Sequence, residues 1–139
     1  MNKILLDTDV ILDFFFDRSP FAENASKILT YCENKKISGY VTPVILSNIY
    51  YLLRKTANHQ QVIAHLKMLL TILEIASVNK TIVLKAIHSD FNDFEDALQN
   101  FTAENEKGIR IIVTRNFKDY KTSKLSVMTP ELYLNSIQK

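Results

Sequence analysis

Hydrophobic and polar positions along the chain fall into two alternating rhythms. Short β-type runs occupy Lys3–Leu6, Ile37–Val41, Leu73–Val78, Arg110–Thr114 and Leu125–Met128. Between them apolar residues recur at helical spacing, as in Phe21, Ala25, Ile28 and Leu29 and again in Val62, Leu66, Leu69 and Leu70. Strands alternating with helices predict a parallel sheet, because parallel strands need long crossovers and are buried on both faces. The unbroken Ile111-Ile112-Val113 suits such a strand. The expected fold is α/β, a three-layer α/β/α sandwich around a five-stranded parallel sheet. Three prolines follow hydroxyl residues, at Ser19-Pro20, Thr42-Pro43 and Thr129-Pro130, and each pair predicts a helix cap with its first helical residue.

Length and composition narrow this picture. The 139 residues make one continuous domain, 1–139, without repeats, low-complexity tracts or linkers. With 47% hydrophobic and 23% charged residues the chain can bury a core, so disorder is excluded. A net charge of +2 gives no general positive coat, and any nucleic-acid contact must come from a local patch. Cys32 is the only cysteine, which rules out an internal disulfide, a zinc finger or an iron–sulfur site and suits the reducing cytoplasm. Asp7, Asp9 and Asp13 interrupt the apolar opening, so it is read as mature sequence rather than a signal peptide. No apolar stretch approaches the roughly 20 residues of a membrane span, and no membrane partner is expected. Two glycines, Gly39 and Gly108, are too few for a Gly-rich dinucleotide turn or a phosphate loop.

The acids carry the chemistry. Ligands of open α/β sheets gather beyond the carboxyl ends of the strands, at the point where strand order reverses. Asp7 follows the first strand directly, and Asn116 and Asp119 follow the fourth; the switch point is expected between these two strands. Asp90–Phe101 predicts a helix with Phe94, Leu98 and Phe101 as its buried stripe. Asp93 and Asp96, three apart, then share a face and lean into a cleft. Asn48 interrupts the apolar run Val44–Leu53, and its amide needs a partner, either an acid of the site or a ligand water. Two carboxylates about 4 Å apart repel by roughly 4 kcal/mol at a surface-type dielectric, a penalty that a divalent cation removes. Oxygen-only ligands point to Mg²⁺ or Mn²⁺, and the natural chemistry is metal-assisted phosphodiester hydrolysis. Each piece also has a plainer reading: Asp7-Thr8-Asp9 as a helix cap, Asp93 and Asp96 as partners of a helix dipole, Asn116–Asp119 as a polar turn. Their coincidence at strand ends favours a site.

At these residues the chain resembles the PIN-domain family of metal-dependent ribonucleases, most closely its bacterial single-domain members, including the VapC-type toxins. The matching pieces are Ile4–Asp13, the helix Thr42–Arg54, Asp93–Gln99 and Ile112–Tyr120. The resemblance implies a pocket binding Mg²⁺ or Mn²⁺, with Asp7 as the first metal-binding aspartate, Asp96 as the aspartate of the later helix and Asp119 as a further carboxylate. It places Asn116 where an acid or amide often follows the fourth strand, Asp93 as an additional carboxylate, and Asp9 at a position commonly filled by Asn or Asp. Many relatives carry Glu where this chain has Asn48, which removes one negative charge from the site. The implied substrate is RNA, and the implied partners are a small antitoxin and a second copy in a homodimer.

Lys107, Arg110, Arg115, Lys118, Lys121 and Lys124 flank Asn116 and Asp119, and of these Arg115, Lys118 and Lys121 are expected to contact RNA phosphates at the pocket rim. Tyr50, Tyr51 and Tyr120 either stack on bases or belong to the core. His59, His65 and His88 are scattered and have no catalytic role. Two other readings compete: a PIN-like domain that binds RNA or protein without cutting, and a haloacid-dehalogenase-type phosphatase forming an aspartyl phosphate on Asp7.

Overall fold

Three successive side chains of the first strand, Ile4, Leu5 and Leu6, are completely shielded from solvent. Successive strand side chains point to opposite faces, so this strand is covered on both sides. The computed structural model, which describes residues 2–138, shows how. The elements are β1 (Asn2–Leu6), α1 (Thr8–Phe15), α2 (Ala22–Glu33), β2 (Ile37–Val41), α3 (Pro43–Leu53), α4 (His59–Ile72), β3 (Glu74–Ile75), α5 (Lys80–Ile87), α6 (Phe94–Asn105), β4 (Ile109–Val113), β5 (Ser126–Met128) and α7 (Pro130–Ile137). A 3-10 turn, Phe117–Tyr120, links β4 to β5. The strands form one parallel sheet in the order β3-β2-β1-β4-β5, flanked by helices. The expected α/β architecture is therefore present, and the order reverses between β1 and β4, where the sequence placed the switch point. No helix of the described residues is long and apolar enough to cross a membrane.

Local chemistry explains the boundaries. Thr42 and Thr129 cap α3 and α7 as expected, their hydroxyls accepting from the backbone N–H of Ile45 at 3.0 Å and of Leu132 at 3.2 Å, with proline next. Ser19-Pro20 behaves differently: its peptide bond is cis, the pair lies in a turn, and α2 starts at Ala22 without a side-chain cap. The third strand is shorter than Leu73–Val78, since only Glu74 and Ile75 pair with β2 at the sheet edge. Its neighbours Leu73 and Ala76 are buried, and the Ala76 N–H still reaches β2, donating to Val41 O at 2.9 Å.

The predicted helix Asp90–Phe101 is also shifted. It runs from Phe94 to Asn105, and its buried line comprises Ala97, Leu98, Gln99, Asn100, Thr102 and Ala103, whereas Phe94 is 51% exposed. Small and hydrogen-bonded side chains let α6 sit close to β4 and α5. The Thr42 hydroxyl donates to Gln99 Oε1 at 2.7 Å, and Ser123 and Glu104 bracket the Asn100 amide. Gly39 of β2 is similarly constrained: an added Cβ would stand 2.7 Å from both Cys32 Sγ and Leu73 Cδ2. Burial pushes the Cys32 thiol up to about 12, which keeps it protonated and inert.

Candidate active site

The carboxyl ends of β1 and β4 meet at Asp7. Its backbone N–H continues the sheet by donating to Val113 O at 3.0 Å, and its side chain then caps α1, Oδ1 accepting from Thr8 N at 2.8 Å. Oδ2 lies 3.0 Å from the Thr114 hydroxyl and accepts from the Tyr120 phenol at 3.1 Å. Burial raises the Asp7 pKa; the Thr8, Thr114 and Tyr120 hydrogen bonds oppose it, and the Asp119 charge adds to it. Asp9, two residues along, is pushed up to about 6 by burial and then by the charge of Asp7. Its Oδ2 accepts from Arg115 N at 3.0 Å, while Oδ1 is buried without a hydrogen-bond partner.

Asp96 approaches from α6. It is pushed up to about 7, first by burial and then by the charges of Asp93, Asp7 and Asp119. The fold thus brings Asp7, Asp96 and Asp119 within one another's electrostatic reach, although they are far apart in sequence. Asp119 is exposed on the 3-10 turn. Asp93 is the cap of α6, its Oδ1 accepting from Asp96 N at 2.9 Å, so the plainer structural role holds alongside its charge on Asp96. Asp96 lines both a cleft of about 670 Å³, shared with Asp7, Asp9, Asn48, Glu95 and Asn116, and a recess of about 210 Å³, shared with Asp93, Lys118, Asp119 and Lys121. A narrower apolar hollow of about 310 Å³ near Phe21 and Pro130 contains none of these acids. Among the described residues no three carboxylate, imidazole or thiol groups stand close enough to form a ready-made metal cage.

Asn48 has the acid partner that its position required. Its Nδ2 donates to Glu95 Oε2 at 2.9 Å, across the cleft wall from α3 to α6. Glu95 was not among the expected site residues, and its only sequence signal is its place beside Asp96. Of the two readings open for Tyr120, the core holds, since it is buried; what the sequence did not signal is that its hydroxyl orients Asp7. Burial and the surrounding acids drive its own pKa far above the ordinary phenol value, so it remains a donor.

Arg115, expected at the phosphate rim, is ion-paired. Its Nε and a terminal nitrogen reach the two oxygens of Asp13 at 2.6 and 3.0 Å, and its guanidinium lies 4.0 Å over the Phe21 ring. A fully buried aspartate holds this cation inward, so it is not free at the surface. Lys118 and Lys121 are exposed beside the smaller recess, as expected. Asn116 is exposed in the larger cleft, its backbone N–H donating to the Thr114 hydroxyl at 3.1 Å.

Known proteins resemble this chain in sequence and in fold. The curated Ribonuclease VapC1 of Aquifex aeolicus (strain VF5) is 28% identical over 135 residues, covering 94% of this chain and 92% of that protein. Among solved structures, a toxin–antitoxin complex from Klebsiella pneumoniae superposes with a TM-score of 0.68 at 20% identity, over 91% of this chain and 97% of the other. The Mycobacterium tuberculosis toxin VapC20, described as cleaving the sarcin–ricin loop, gives 0.63 at 18% identity, over 85% and 95%. These structural likenesses show a common fold. The family model for the PIN domain matches residues 3–118, and the chain therefore belongs to the PIN-domain family.

Proposed function

We propose that the protein is a metal-dependent endoribonuclease that hydrolyses RNA phosphodiester bonds and serves as the toxin of a toxin–antitoxin pair. One observation carries the reading: a half-buried Asp96 between two recesses, pushed up to about 7 by burial and by Asp93, Asp7 and Asp119. Such crowding is unfavourable alone and becomes favourable when a cation joins it.

The donor set fits a hard divalent ion, since every contributor is oxygen. Asp7, Asp96 and Asp119 would hold Mg²⁺ or Mn²⁺. Mg²⁺ keeps several waters and needs only one or two carboxylates. When bound, the ion would supply a water of lowered pKa and neutralise charge on the phosphate. The chain's own residues do the rest. Thr8, Thr114 and Tyr120 fix both oxygens of Asp7, Asp93 pins the start of α6 beneath Asp96, and Asn48 holds Glu95 against the cleft wall. Lys118 and Lys121 would meet backbone phosphates, and Asn116 would face the substrate in the larger cleft.

The toxin role is supported by relatives described as a VapC ribonuclease and as toxin–antitoxin complexes. A small antitoxin and a second copy of the chain are the partners we propose, and the single unpaired Cys32 accords with the cytoplasm. The test is incubation of pure protein with single-stranded RNA and Mn²⁺ beside an Asp96→Asn variant. Cleavage that needs both the metal and Asp96 is expected. RNA binding without cleavage would leave a binding module instead, and cleavage surviving in the variant would place the chemistry elsewhere.

A further inference from the structure

The apolar stripe of α3, formed by Ile45, Ile49 and Leu53, is buried, and Tyr51 lies about 200° around the helix from Ile49. Its ring is therefore outside the core and 68% exposed, yet it lines the large cleft that contains Asp7 and Asp96. The ring also has a fixed neighbour. Tyr50 meets it edge to face at 5.2 Å, and the Tyr50 hydroxyl is in turn held 2.8 Å from His59 Nδ1 at the start of α4. Lys55, four residues after Tyr51, lines the same cleft and is exposed. An exposed aromatic face followed one turn later by an ammonium matches a nucleotide: a base to stack on and a phosphate to pair with.

Charge fixes the direction of travel. The cleft floor is acidic, so a polyanion can enter only where cations line the rim. Lys55 and Arg18 line the larger cleft, while Lys118 and Lys121 line the smaller recess. Asp96 is the residue the two spaces share. We infer that one RNA strand crosses the site with a base stacked on Tyr51 and the adjoining phosphate on Lys55, passes over Asp96, and leaves along Lys118 and Lys121. This path rests on the ribonuclease reading and adds to it a base-stacking subsite at Tyr51 with a phosphate contact at Lys55.

Steady-state cleavage of a single-stranded RNA with Mn²⁺, by wild type, Tyr51→Ala, Tyr51→Phe and Lys55→Gln, tests the path. Stacking lost from substrate and transition state alike raises KM and leaves kcat. Tyr51→Ala should raise KM about fivefold or more, and Tyr51→Phe should restore it. Lys55→Gln should flatten the salt dependence of KM by about 0.7 in log–log slope. A KM unchanged in Tyr51→Ala, with wild type cutting normally, overturns the path and leaves the nuclease reading intact. Absence of cleavage by wild type removes that reading and the path with it. Light scattering completes the experiment: a Tyr51→Ala protein that changes oligomeric state would show that a second copy, not RNA, covers the ring, and would equally overturn the proposal.

Discussion

Replacing Arg115 by methionine removes the cation from a pair whose acid has no access to solvent. Asp13 is completely buried, and it loses charge-assisted bonds of 2.6 and 3.0 Å. Breaking a buried pair from one side costs about 3–5 kcal/mol, since the remaining charge is left in a poor dielectric. Arg18 partly compensates here, because its terminal nitrogen lies 3.4 Å from Asp13 Oδ1 and its side chain is 41% exposed. The expected loss is therefore near the lower end, about 3 kcal/mol. Urea unfolding monitored by circular dichroism measures it as a lower midpoint at unchanged slope. The double variant Asp13→Leu/Arg115→Met separates charge from packing: neutralising both partners together should bring stability back to within about 1 kcal/mol of wild type. A single-variant loss below about 1 kcal/mol would refute the reasoning and return Arg115 to the surface role that its position in a basic segment first suggested.

Further outcomes follow from the same geometry. Asp7, Asp9 and Asp96 all have raised folded-state pKa values, to about 6 for Asp9 and about 7 for Asp96, so the folded chain binds protons more tightly than the unfolded one. In metal-free buffer the urea midpoint should fall as pH rises from 5 to 7.5, less steeply in Asp96→Asn; a flat or rising profile would contradict this. Glu95→Gln should weaken Mn²⁺-dependent cleavage, and Asn48→Asp should do so too by setting two carboxylates against each other across 2.9 Å; if both variants cut normally, the clip is idle. Gly39→Ala should cost about 1–3 kcal/mol by overpacking against Cys32 and Leu73, read from thermal unfolding, and an unchanged melting temperature would show that both neighbours yield freely.

Periodicity was enough to recover β1, β2, β4 and β5 to within a residue or so, because each is a short run rich in β-branched and apolar residues bounded by polar turns. It overran β3, where Glu74 and Ile75 form the strand and the buried Leu73 belongs to the end of α4. On α6 it found Leu98 and the half-buried Phe101 but also named Phe94, which is exposed, and it passed over the alanine, threonine and hydrogen-bonded amides that close approach to β4 selects. Spacing and strand-end logic pointed to Asp7, Asp96 and Asp119, since topology dictates where strand ends collect. The Asn48–Glu95 bond and the Tyr120 contact to Asp7 depend on side-chain directions between distant segments, which no local pattern encodes. The ion pair of Arg115 was hidden for a related reason: a basic residue among lysines looks solvated until its partner, Asp13, is found on α1.

The unpartnered oxygen of Asp9 and the raised carboxyl pKa values around it mean that this fold carries internal opposition at neutral pH. A library of variants sorted only for ruggedness would be expected to discard these carboxylates early, exchanging them for amides or apolar residues of similar size. Their presence is thus a cost to the folded chain that only use can justify, and a laboratory lineage freed from that use would drift toward a tougher, silent scaffold.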